Sequence, residues 1–263
     1  MKTVLDFAKK KQLDSKFSMV TCYDFWSAQI LNLSAVDCIL VGDSAAMVMH
    51  GHDSTVPMDI STMAMHVSAV KKGAPDKFIV GDMPFLTHRK GTKYAMDCVE
   101  KLMCAGASAV KIEAHPGHER IIQHIVESGI PVMAHIGLTP QFVPQLGGYK
   151  VQGKDTMSAL RLHALAKILE EAGCFSIVLE CIPDELARKI TCQLQIPTIG
   201  IGSGSQTDGQ VLVLQDLLGC QKTFQPKFVR HYTNLHEIIL DAVNSYHSSV
   251  SQNEFPSEKE IYM

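Results

Sequence analysis

Short, nearly continuous apolar runs recur eight times along this chain, and stretches with helical spacing separate them. The runs cover residues 18–22, 38–41, 78–80, 109–112, 132–135, 176–179, 198–201 and 211–214. Unbroken apolar character over so few residues is what a parallel strand covered on both faces requires. Between the runs, Asp59 can cap a stretch with Met63, Val67 and Val70 at helical spacing, ended by Gly73. Residues 93–105 carry Val99, Leu102 and Met103 and stop at Gly106. Residues 118–128 carry Ile121, Ile125 and Val126 and stop at Gly129. Residues 156–172 carry Leu162, Leu165 and Leu169 and stop at Gly173, and 184–193 add Leu186 and Ile190. Helix, glycine, apolar run is the rhythm of βα units. Eight units predict a (β/α)8 TIM barrel; a doubly wound open sheet is the alternative and usually needs fewer strands. At 263 residues the chain has the length of one barrel. A single domain over 1–263 is expected, with a short polar tail from about residue 251.

Charge and composition narrow the function classes. The 24 Lys and Arg against 27 Asp and Glu give a net charge of −3. That argues against a nucleic-acid binder with a basic stripe and against a polybasic membrane anchor. No apolar run has the length of a spanning helix, and the opening MKTVLDFAKKKQ lacks a signal-peptide core. The eight cysteines include no C-x-x-C pair. They read as reduced, mostly buried thiols of a cytoplasmic protein.

The chemistry sits where the runs end. In a barrel those ends open on the face that carries active sites, and the long segments 44–58 and 137–155 project from the same face. The second run ends in Gly42-Asp43-Ser44, the third in Gly81-Asp82, the fourth in Lys111-Ile112-Glu113, the fifth at His135 and the sixth at Glu180. Any one of these is an ordinary capping acid or ladder-end ion pair. Five consecutive strands ending this way point to a site, because buried charges must pair or bind a metal. Lys111 and Glu113 are two apart and share a strand face. Neighbouring strands lie about 4.8 Å apart, so Asp43, Asp82 and Glu113 can converge on one hard cation. An all-oxygen set favours Mg2+ over zinc. Lys111 can supply fixed positive charge to a carboxylate or developing enolate, merely neutralise the acids, or form a Schiff base; nearby acids disfavour the last by keeping it protonated. Glu180 is a candidate general base, or else the partner of a backbone group or an arginine. His135 can donate to a substrate oxygen, or be a satisfied core histidine.

Other features are weaker. Gly200-x-Gly202-x-Gly204 is either an anion cradle or a tapering strand end, and is not a dinucleotide fingerprint. His50-x-His52 and His115-x-x-His118 read as loop histidines. Met47, Met49 and Met58 either fill the core or line a pocket.

Taken together, the segments LVGDS at 40–44, GHDST at 51–55, DMPF at 82–85, VKIE at 110–113, HIGLTP at 135–140, GYKVQG at 148–153, VLECIP at 178–183 and IGIGSG at 199–204 resemble the ketopantoate hydroxymethyltransferase family. The similarity runs in order from about Met19 to Lys227. It implies a barrel of the phosphoenolpyruvate/pyruvate type. It implies transfer of a hydroxymethyl group from 5,10-methylenetetrahydrofolate to 3-methyl-2-oxobutanoate, giving 2-dehydropantoate for pantothenate biosynthesis. One Mg2+ per subunit is implied at Asp43, Asp82 and Glu113. The 2-oxo acid site maps to Asp43, Ser44, Asp82 and Lys111, with His135 in the same pocket. Glu180 maps to the proton acceptor that generates an enolate held on the Mg2+. A cytoplasmic homodecamer is implied, with no nucleic-acid or membrane partner. One departure is Gln215-Asp216, where the family commonly has His-Asp, so the role of that histidine in folate or subunit contacts is not carried over. A metal-dependent lyase or mutase on the same barrel, a Schiff-base aldolase through Lys111 and a non-catalytic assembly protein are the other readings. The segments 51–55 and 178–183 favour the transferase.

Overall fold

Each of the eight apolar runs overlaps a parallel strand, and the strands close on themselves. The computed structural model describes residues 2–221 and 226–262. It divides into two compact units, Met1–Val213 and Leu214–Met263.

The first unit is the barrel. Its strands are β1 (Phe17–Thr21), β2 (Cys38–Val41), β3 (Phe78–Asp82), β4 (Ala109–Glu113), β5 (Val132–Gly137), β6 (Ser176–Glu180), β7 (Thr198–Ile201) and β8 (Gly209–Leu212). They pair in chain order, and β8 returns to β1. The expected helices form as α4 (Ile60–Gly73), α5 (Thr92–Cys104), α6 (Glu119–Glu127), α8 (Thr156–Glu171) and α9 (Asp184–Gln193). Asp59 caps α4 through the amides of Ser61 and Thr62, and Asp155 caps α8 through Ser158. The segment 44–58 contains the short helix α3 (Ala45–Val48). The segment 137–155 contains a tight turn of helix, Pro140–Phe142, and α7 (Val143–Leu146).

Side-chain parity carries the site. Successive strand residues face opposite sides, so one of every two points into the barrel. Phe78 and Val80 belong to the central core cluster, as do Ala109, Met133 and Val178. The same parity therefore sends Asp82, Lys111, Glu113, His135 and Glu180 inward, one or two layers nearer the mouth. Strand register brings them level in pairs: Asp82 lies beside Lys111, and Glu113 beside His135.

The structure departs from the sequence expectations in several places. The last strand starts two residues early, at Gly209 rather than Val211, and Leu214 opens a helix instead. Gly209 pairs with Phe17 at the barrel floor, where an added Cβ would stand 2.6 Å from the Phe17 ring. Only a glycine passes there, and the polar Gly209-Gln210 start hides the strand from an apolar search. Two further helices precede β2: α1 (Val4–Gln12) and α2 (Phe25–Leu33). Helix α1 closes the floor. Its Phe7 is fully buried and packs edge-on against Phe17, Phe78 and Phe175, with ring centroids 5.1–5.3 Å apart. All eight cysteines are free, but only Cys22, Cys38, Cys98 and Cys174 are buried. Cys104 and Cys192, in the last turns of α5 and α9, are exposed.

The second unit contains α10 (Leu214–Leu218) and α11 (Leu235–Ser251). The described residues after Ser251 form no helix or strand and are exposed. Among the described residues, no helix is long and apolar enough to cross a membrane.

Candidate active site

The mouth of the barrel gathers every acid, lysine and histidine that the strand ends supply. Asp43 lies two residues past β2 and is buried. Its backbone N–H donates to Asp82 Oδ2 at 2.9 Å. Lys111 Nζ stands 2.8 Å from Asp82 Oδ1 and 3.3 Å from His135 Nδ1. His135 Nε2 in turn lies 3.1 Å from Glu180 Oε2, an ion-pair distance without hydrogen-bond alignment. Glu113 Oε1 is 3.7 Å from His135 Nδ1. Asp43, Asp82, Lys111, Glu113, His135 and Glu180 thus form one connected cluster. Ser44, at the entry to α3, holds its hydroxyl 2.8 Å from the phenol of Tyr23.

Charge balance is what distinguishes this cluster from a set of ordinary ion pairs. Four carboxyl groups meet a single lysine. Burial, and then the neighbouring Asp82, pushes the Asp43 carboxyl up to about 7. Burial and Asp43 raise Glu113 well above the usual carboxylate range. Burial alone lifts Glu180 to about 8, and Lys111 only partly offsets it. Burial by itself would push the Lys111 ammonium down; the charges of Asp82, Asp43 and Glu113 outweigh it and hold its proton more tightly than usual. Burial and the Lys111 charge depress His135, so its ring is neutral. With Nδ1 facing the ammonium, the ring proton belongs on Nε2, toward Glu180.

Two residues that the sequence patterns do not single out complete the site. Gln141 donates from Nε2 to Asp43 Oδ2 at 2.8 Å and to the Met83 carbonyl at 3.0 Å, while its backbone N–H donates to Glu113 Oε2 at 3.0 Å. It therefore ties β2, β3 and β4 together above the mouth. Tyr23 is buried, and burial raises its phenol, so it reaches Ser44 as a neutral hydroxyl. Neither carries a charge, so a search for acids and bases at strand ends does not find them. Gly137 is the third constraint. It has φ +96° and pairs with Glu180, and an added Cβ would collide with the Glu180 carbonyl.

His50, His52, His115 and His118 lie in loops, as expected, and three of them make specific side-chain contacts. His50 Nε2 lies 2.8 Å from His66 Nε2. His115 bonds Thr139 Oγ1 at 3.1 Å, and His118 packs edge-on against His88 with centroids 4.6 Å apart.

Among the described residues, no three acid, imidazole or thiol side chains stand close enough to enclose a metal ion as they are. The donor set nevertheless suits a hard divalent cation. It is all oxygen, Glu113 Oε1 is buried with no hydrogen-bond partner, and the acids outnumber their one counter-charge.

A closed parallel barrel with ionisable side chains gathered at the C-terminal ends of its strands is the architecture of a TIM-barrel enzyme. The chain belongs to the ketopantoate hydroxymethyltransferase family, whose model matches residues 1–258. It is 54% identical over 262 residues to the 3-methyl-2-oxobutanoate hydroxymethyltransferase of Bdellovibrio bacteriovorus, covering 100% of both chains. It is 54% identical to the enzyme of the same name from Coxiella burnetii, covering 95% of both. Among solved structures, a phosphonomutase described from Burkholderia cenocepacia shares the fold with TM-score 0.63 at 12% identity, covering 95% of this chain and 100% of that one. A 2,3-dimethylmalate lyase of the PEP mutase/isocitrate lyase superfamily has TM-score 0.61 at 15% identity, covering 100% and 92%. Both share the (β/α)8 barrel with this chain, the fold that the sequence predicts.

Proposed function

We propose that this pocket transfers a hydroxymethyl group from 5,10-methylenetetrahydrofolate to 3-methyl-2-oxobutanoate, giving 2-dehydropantoate in pantothenate biosynthesis. The observation that carries the reading is Glu180: an inward-facing carboxyl, raised to about 8 by burial, beside a neutral His135 and within reach of the acidic cluster. A base with such a pKa is matched to removing a weakly acidic C–H proton near neutral pH.

Asp43, Asp82 and Glu113 are the residues that would hold one Mg2+ per subunit. When bound, the ion supplies Lewis-acid polarisation of the ketone, which makes the C3 proton more acidic. Lys111 and Ser44 bind the 2-oxo acid together with Asp43 and Asp82. The Lys111 ammonium, fixed by Asp82, faces the negative charge that grows on the substrate oxygens. His135, whose Nε2 has no hydrogen-bond partner among the described residues, can donate to a substrate oxygen in the same pocket. Glu180 takes the single proton from C3. One of the two bonds from the methylene carbon to folate nitrogen opens to leave a methylene iminium, the C3 electron pair bonds to that carbon, and the remaining carbon–nitrogen bond then breaks as water supplies the hydroxyl oxygen. The C3 proton and one proton of the water end on the two folate nitrogens. Tetrahydrofolate leaves. Gln141 holds Asp43 and Glu113 in register throughout.

A homodecamer in the cytoplasm is part of the proposal. The free cysteines suit a reducing compartment, and α11 presents Ile238, Ile239 and Val243 unburied. A Schiff-base aldolase is disfavoured because the acids keep Lys111 protonated. The test is product analysis with purified protein, both substrates and Mg2+. Mass-spectrometric 2-dehydropantoate that disappears with EDTA supports the reading. Cleavage products of the 2-oxo acid would point to a lyase, and borohydride trapping of substrate on Lys111 to an aldolase.

A further inference from the structure

A second cavity, of about 410 Å³, lies between the loops that follow β3 and β4. Arg89, Arg120 and His124 line it, with Thr92 and His88. Both arginines are exposed, and neither has a carboxylate within ion-pair distance among the described residues. Glu119 is the acid at this edge, and its carboxylate is already held 2.8 Å from the Gly117 N–H.

His88 forms the inner wall of the cavity. It is only 4% exposed, yet neither of its ring nitrogens has a hydrogen-bond partner. His118 packs against it edge-on and satisfies neither nitrogen. Burial, and then the charges of His118 and Arg89, push its pKa to about 3, so the ring is neutral and carries one N–H. Both nitrogens are shielded from solvent, so the ring walls the cavity without offering it a donor. The thirteen-residue helix α5 also begins at this edge. Its cap position is Gly91, at φ +96°, which brings no side chain to the amides of the first turn. Those amides and the helix dipole favour an anion.

We propose that this cavity binds a phosphate group, free or carried on a small organic molecule, between the Arg89 and Arg120 guanidiniums, with the first-turn amides of α5 as further donors. Two guanidinium forks and a helix terminus offer more donors than the two oxygens of a carboxylate can use, and they repel any cation. The site is separate from the acidic mouth, whose own charge is of the opposite sign.

Calorimetry on the whole protein tests this, titrating inorganic phosphate and, separately, glycerol 3-phosphate, against potassium chloride at matched ionic strength. Wild-type protein is expected to give a saturable isotherm with phosphate. The double variant Arg89→Ala, Arg120→Ala is expected to bind at least about tenfold more weakly. Arg161→Ala, on the exposed face of α8, is expected to bind as wild type does. Tighter binding of glycerol 3-phosphate assigns the site to an organic phosphate, and binding of inorganic phosphate alone assigns it to the free ion. Equal affinity in wild type and the double variant overturns the proposal, since phosphate then binds elsewhere. So does the lack of any saturable heat at millimolar concentration.

Discussion

Glu180 is the side chain on which the proposed chemistry turns. Its proton is lost near pH 8 in the free protein. As a base it works only when deprotonated, so kcat/KM should rise with pH through that region; a flat profile from acid to mildly alkaline pH contradicts the assignment. The same shift bears on stability. A carboxyl whose folded pKa lies above its unfolded value helps folding below the unfolded pKa and loses that contribution as pH rises through the folded one. Glu180→Gln removes the titration and keeps the shape. Relative to wild type, its Tm should therefore climb between about pH 5 and pH 8, and a constant difference would show that Glu180 ionises freely. Gln141 acts through others. Gln141→Ala removes the donor that bridges Asp43 and the Met83 carbonyl. Mg2+ binding by calorimetry should weaken by about 10–100-fold, the usual effect of losing an orienting partner. Unchanged affinity would make the bridge incidental. The charged members of the site are legible in the sequence because acids at consecutive strand ends are costly without a purpose. Gln141 and Tyr23 are not, because a neutral side chain in a loop carries no such cost until its partners are known.

The elements show where pattern reading works and where tertiary contact decides. A strand such as β2, with the sequence CILV, is apolar on both faces, so the sequence marks its bounds to the residue. The start of β8 is set instead by the Phe17 ring on a neighbouring strand, which no local pattern encodes. Helix α1 is hidden for a similar reason. Its lysines dominate its composition, and its function rests on the single buried Phe7. Phe7→Ala should cost about 3–5 kcal/mol by denaturant titration, the usual range for a buried aromatic. A change within error would mean that α1 does not close the floor. The mouth lies at the opposite end, so ligand binding in the surviving folded protein should be preserved.

For the whole molecule, the barrel solves a placement problem. One inward parity delivers Asp82, Glu113 and Glu180 from β3, β4 and β6 to the mouth, the turn after β2 adds Asp43, and a packed apolar core lies beneath them. That core excludes water, and the exclusion is what raises Asp43, Glu113 and Glu180 together. Fold and reactivity share one cause. The most direct test is the exchange of the C3 hydrogen of 3-methyl-2-oxobutanoate in deuterium oxide with Mg2+ present, comparing wild type and Glu180→Gln. Wild type should exchange, and the variant should bind the 2-oxo acid nearly as well yet exchange at least about 10²-fold more slowly. Exchange at the wild-type rate in the variant would contradict the role of Glu180 as the base.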